Sequence, residues 1–165
     1  MTTQQRRAIP TEELDPELTS VSREVIGAAI EVHKALGPGF TAEVYKNALA
    51  QELNTIGVAF QRDHPFPIDY KGATVGELTF DYYVNERFAL QVCAEHREID
   101  GLDRASLRAG LRAADLELGL IVNFGERRLK DGLVRVLNPD KLNAMRGDAP
   151  GEHDHTTTND TSNRA

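Results

Sequence analysis

The chain has one cysteine, no tryptophan and no long hydrophobic run, and each shortage removes a class of protein. With Cys93 alone, no disulfide can form within the chain, so a disulfide-stapled secreted fold is excluded. No apolar stretch approaches the ~20 residues that a membrane-spanning helix needs. Aromatic residues make up only 6% of the sequence, which predicts an aliphatic core. Positive charge is also short: 19 Lys and Arg against 26 Asp and Glu leave a formal charge of −7. That balance argues against a general polyanion-binding surface, which needs clustered cations. The N-terminus carries Arg6 and Arg7, but Ala8, Ile9, Pro10 and the acidic stretch that follows supply no apolar signal core. A cytoplasmic protein is the expectation.

What is present fits one domain. A length of 165 residues with 40% hydrophobic content can bury one continuous core. Residues 1–14 are polar and mixed, and predict a flexible N-terminus. Residues 15–142 carry the periodic patterns of a single domain. From 143 to 165 the sequence is acidic and polar with almost nothing to bury, which predicts disorder. His153 and His155 in that tail read as solvated imidazoles rather than a metal site. The run Glu126 to Lys130 is one candidate for a local basic patch, and reads as a solvated turn.

Apolar residues Val21, Val25, Ala28, Ala29, Val32 and Leu36 recur at three- and four-residue steps and predict a helix from Ser20 to Leu36, capped by Thr19 or Ser20. Gly37-Pro38-Gly39 ends it. A second helix is expected from Thr41 to Ile56, with Val44, Ala48, Leu49 and Leu53 inward. The period then changes. Val58–Gln61, Pro65–Tyr70, Thr74–Val84 and Phe88–Glu95 read as strands of an antiparallel meander, with turns at Lys71-Gly72 and at Asn85 to Arg87. Asp103–Ala114 reads as a third helix with Asp103 as its N-cap, although Gly110 interrupts it. Leu118–Asn123 and Leu133–Leu137 complete the strands, and no internal repeat is visible. This order predicts a sheet with helices on one or both faces.

Several of these segments carry a resemblance. Val25 to Gly39, Val44-Tyr45 with Ala48-Leu49, Asp69 to Gly72, Asp81, Gly119 to Gly125, and Leu129 to Val136 are together similar to the GxxExxY family, small proteins assigned to the PD-(D/E)XK nuclease superfamily. The match spans about residues 18–138. It implies an α/β (α+β-like) fold with a restriction-endonuclease-like core, a mixed central β-sheet flanked by helices. In that superfamily an acid on one strand and an acid on the next hold a divalent cation. A lysine two residues beyond the second acid helps activate water. Residues i and i+2 of a strand face one side, so the second acid and the lysine share a cavity. Mg²⁺ needs charged oxygen ligands to do this work.

Placed on that template, Asp81 matches the first acid, but Gln91 stands at the second and Cys93 at the lysine. The motif glycine is Gly39 and its tyrosine is Tyr45, so Ala42 falls where the glutamate belongs. Ser106 and Gly110 replace the family's glutamine and tyrosine of the third helix. The resemblance therefore implies a degenerate site with no catalytic residues, in which Asp81 is the one remaining metal ligand or else a structural carboxylate. Two rescues exist. Glu43 adjoins Ala42 but lies about 100° around the helix. Glu95 and Arg97 share the strand parity of Gln91 and Cys93 but lie about 13 Å further along. Cys93 reads as a small buried hydrophobe rather than a nucleophile, and His33 as a packed histidine. The expectation is a pseudoenzyme without a cofactor that binds nucleic acid or a protein partner, including a second copy of the chain, but no membrane. The competing reading is a Mg²⁺-dependent nuclease using Asp81 with Glu95 or Glu43. A third is a purely structural or regulatory domain.

Overall fold

The computed structural model describes residues 15–141. The expectations for residues 1–14 and 143–165, with His153 and His155, lie outside the described residues. Three helices, α1 (Pro16–Leu36), α2 (Ala42–Ile56) and α3 (Gly101–Ala114), accompany seven strands: β1 (Phe60–Arg62), β2 (Pro65–Tyr70), β3 (Ala73–Thr79), β4 (Tyr82–Val84), β5 (Phe88–Cys93), β6 (Leu118–Asn123) and β7 (Leu133–Leu137). The main sheet runs β1-β4-β5-β6-β7, while β2 and β3 form a separate two-stranded ribbon. All neighbours in the main sheet are antiparallel except β5 and β6. That parallel pair requires a crossover, and α3 supplies it. The mixed sheet with flanking helices is the architecture expected from the sequence.

Alternation within the central strands divides the core into two layers. Leu90, Val92, Leu120 and Val122 face α1 and α2, with Val25, Ala29, Leu49 and Leu53 against them. Ala89, Ile121 and Val136 face the other way, toward Leu107 and Leu111 of α3, and Phe66 and Leu78 of the ribbon close that side. No helix among the described residues is long and apolar enough to cross a membrane.

Several local expectations are corrected. α1 begins at Pro16 rather than Ser20, because the Asp15 side chain accepts from the Glu17 N–H and Pro16 suits the first helical turn. In α2 Tyr45 is buried and Val44 is exposed, the reverse of the hydrophobicity order. The Tyr45 ring stacks on Phe124 at 4.7 Å, and its hydroxyl donates to the Gly37 carbonyl at 2.5 Å, so its polar end is satisfied inside. Thr74–Val84 is not one strand. It breaks at Phe80-Asp81, so the expected meander becomes a ribbon plus a short strand in the main sheet. Strand β1 is Phe60–Arg62 rather than Val58–Gln61, and it pairs with β4, not with its chain neighbour. α3 is capped by Asp100, and Asp103 is its third residue, with the two closing a reciprocal capping box. Gly110 fits because it is buried against Phe80: a Cβ there would lie 2.9 Å from the ring. Glu126 to Lys130 is a turn as expected, although Leu129 within it is buried.

Candidate functional site

Asp81 sits at the break between β3 and β4, where its side chain replaces ladder hydrogen bonds. Its Oδ2 accepts from the Val92 N–H at 2.7 Å, and its own N–H donates to Gln91 Oε1 at 3.1 Å. The hairpin register places Tyr82 opposite Leu90, so Asp81 and Gln91 stand side by side at the end of the paired strands. The second oxygen, Oδ1, is 3.0 Å from the Lys46 ammonium on α2. The pair is largely withdrawn from water, with the Lys46 and Asp81 side chains 24% and 18% exposed. The next residue holds Lys46 as well, since the Tyr82 hydroxyl donates to the Lys46 carbonyl. Burial raises the Tyr82 phenol to about 12, so it stays a donor.

Asp81, Gln91, Cys93, Glu95, Arg97 and Ser106 line one cavity of about 210 Å³, closed on its far side by α3. The fold thus brings together three of the four positions expected from the template. Ala42 and Glu43 are not among the lining residues. Glu43 is exposed and faces Arg62 at 3.5 Å. Gly110 packs beneath Phe80, away from the cavity lining. His33 commits Nε2 to the Glu126 carbonyl at 2.9 Å and does not line the cavity with Cys93. Burial, with the negative Glu95 nearby, pushes the Cys93 thiol up to about 11, which keeps it protonated and poorly nucleophilic at neutral pH.

The rim is an ion-pair hub. Arg97 engages Glu95 and also forks onto Asp103 at 2.6 and 3.0 Å. The Arg97 hydrogen bonds hold the Asp103 carboxyl well below the usual aspartate range, and the two carboxylates hold the Arg97 guanidinium firmly charged. Glu95 therefore points at a cation of its own rim, and most of the Arg97 donors are committed within the protein.

The residues around Asp81 do not fit a Mg²⁺ ion. Among the described residues no three His, Cys, Asp or Glu side chains converge as a metal site. Asp81 already uses both oxygens, and an ammonium stands where a cation would bind. Reading the strands alone missed Lys46. The signal was nevertheless present: Lys46 follows Ala42 by four residues, so the two share a helix face. That face would have carried the motif glutamate toward the strand break.

No curated protein matches the chain significantly. A sequence model of the PD-(D/E)XK nuclease superfamily matches residues 19–136, from the first turns of α1 through β7. With most of the folded chain covered, and with an acid at the strand break beside the hairpin position of the second acid, this protein belongs to the PD-(D/E)XK nuclease superfamily.

Proposed function

We propose that this chain is a catalytically silent member of the superfamily, of the GxxExxY type with a degenerate motif, and that it acts in the cytoplasm by binding rather than cutting. The observation that carries this reading is the closed state of Asp81: one oxygen on the Val92 N–H, the other on Lys46. A fixed ammonium neutralises the one acid left of the strand motif, and neither Gln91 nor Cys93 can supply a second negative ligand. Against the competing enzyme built on Asp81 with Glu95 or Glu43 stands the pairing of both glutamates with arginines, and only Glu95 shares the cavity of Asp81.

Nucleic acid is the favoured partner. Arg104 and Arg108 lie one helical turn apart on α3, and neither forms an ion pair among the described residues. Each directly follows a residue of the cavity lining, Asp103 and Leu107, so a phosphate backbone has cations to follow past the silent site. A protein partner, including a second copy, is the other reading. The exposed Tyr70 and Val75 near the turn end of the ribbon favour it.

The test pairs cleavage with binding. Single- and double-stranded DNA and RNA are incubated with Mg²⁺ or Mn²⁺, and binding is followed across a salt series. The expected result is no cleavage, with binding that weakens as salt rises and weakens further in Arg104→Gln with Arg108→Gln. Metal-dependent cutting that stops in Asp81→Ala would overturn the silent reading. Absence of salt-dependent binding, with self-association in sedimentation, would move the partner to protein.

A further inference from the structure

The segment from Ala94 to Arg97 separates two cavities. Glu95 and Arg97 face the cavity of Asp81, whereas Ala94 and His96 face a second one on the opposite side. The second is about 520 Å³, within the range of roughly 300–1,000 Å³ that small-molecule sites occupy, while the first is smaller. Its other walls are the α1–α2 turn with Phe40, and the turn after β6 with Gly125, Glu126 and Arg127.

Both walls are rigidly held. The Phe40 N–H donates to the Tyr45 hydroxyl at 3.1 Å, and the Phe40 ring meets Tyr45 edge-on with centroids 6.2 Å apart. The rest of the ring is open, leaving Phe40 51% exposed, whereas its partner Tyr45 is fully buried. On the opposite wall, His33 fixes the Glu126 carbonyl. Gly125 packs so closely on the Glu95 carbonyl that a side chain would collide with it. The charges also differ between the cavities. Arg97 and Arg128 are paired with acids, whereas Arg127 makes no ion pair among the described residues.

We propose that this second cavity binds a nucleoside monophosphate. The base stacks on the open face of Phe40, the phosphate is held by Arg127 and His96, and Glu126 accepts from a sugar hydroxyl. An exposed aromatic ring and an uncommitted guanidinium lining one cavity suit a planar group linked to an anion. One guanidinium with Glu126 beside it suits a single phosphate better than a chain of three. The site does not depend on the silent reading of Asp81, because the two cavities share no lining residue.

The test is titration of the ¹⁵N-labelled full chain with AMP, GMP, CMP and UMP, followed by amide shifts, with adenosine and inorganic phosphate as separate probes. At least one monophosphate is expected to give saturable shifts at the Phe40 turn and at residues 125–127. Arg127→Gln should weaken it by about tenfold or more, the loss expected on removing a charge-assisted hydrogen bond, and Arg127→Lys by less. Phe40→Ser should also weaken it, and Lys71→Gln on the ribbon turn should not. Both substituted side chains are exposed, and the spectra report directly whether each variant is folded. The proposal is overturned if no monophosphate approaches saturation by about 5 mM, as a complex of about millimolar Kd would. It is equally overturned if phosphate or adenosine alone binds as tightly, or if Arg127→Gln changes nothing.

Discussion

Asn123 holds both main-chain polar groups of Glu95: its Oδ1 accepts from the Glu95 N–H at 3.0 Å, and its Nδ2 donates to the Glu95 carbonyl at 2.9 Å. The same amide also donates to the Arg97 carbonyl at 2.8 Å and accepts from the Gly125 N–H at 3.0 Å. This fully buried side chain thus takes over where β5 stops, and it turns the chain off the strand line at Glu95. An extended β5 as far as Glu95, expected from local propensity, is replaced by this clamp.

Asn123→Ala therefore strands two N–H and two C=O groups that have no other partner among the described residues. A loss of about 2–4 kcal/mol is expected, since each buried polar group left unmade costs on the order of 1–3 kcal/mol and water recovers part of it. Urea denaturation measures it as a lower midpoint with unchanged slope. A change below about 0.5 kcal/mol, the level of an ordinary surface substitution, would refute the clamp.

Lys46→Gln combined with Gln91→Glu exchanges the fixed ammonium for a second carboxylate beside Asp81. The double variant is expected to bind Mn²⁺ measurably by calorimetry, whereas the wild type shows no saturable heat. Each single variant should bind more weakly than the pair, because one leaves the ammonium and the other leaves a single acid. Equal metal affinity in wild type and double variant would show that Lys46 does not hold the site closed.

Cys93 should react slowly with iodoacetamide. Its thiol is pushed up to about 11 from the usual 9.0, and the reactive species is the thiolate. Two units correspond to roughly a hundredfold less thiolate at pH 8 than in the unfolded chain. Labelling of native protein should keep accelerating past pH 10, while labelling in urea levels off earlier. Matching rates for native and unfolded protein at pH 8 would refute the burial argument.

Asp103 predicts an acid-side dependence. Its native carboxyl is held below the usual 3.8 mainly by the Arg97 hydrogen bonds, and then by the Asp100 N–H. A depressed native value stabilises the fold above the unfolded value, and that contribution is lost as pH falls through the lower native one. Asp103→Asn should therefore flatten the decline of stability below about pH 4, where unfolded aspartates titrate, without steepening it near neutrality. Both side chains are partly exposed, so added salt should narrow the difference. Identical acid melting curves for the two proteins would count against the Arg97 hub.

Two kinds of information divide this protein. Helix and strand order followed from side-chain period and from Gly and Pro punctuation: α1, α2, α3 and β6 stand where spacing put them, to within a few residues. The family resemblance, together with strand parity, also placed Gln91 and Cys93 on one cavity with Asp81, and one cavity holds all three, though not Ala42. These features arise from neighbours in the chain, so the sequence expresses them directly.

What only the tertiary structure decided is which distant group satisfies each buried polar atom. The one local mark of the break in Thr74–Val84 is Asp81 itself, a weak signal beside the β-branched and aromatic residues on either side of it. The break exists because Asp81 finds Val92, Gln91 and Lys46, and Phe80 finds the gap left by Gly110. Tyr45 displaces Val44 from the core because its hydroxyl has a carbonyl to meet there. Propensity acts within a few residues, whereas a buried charge or amide must be paired wherever the folded chain brings its partner.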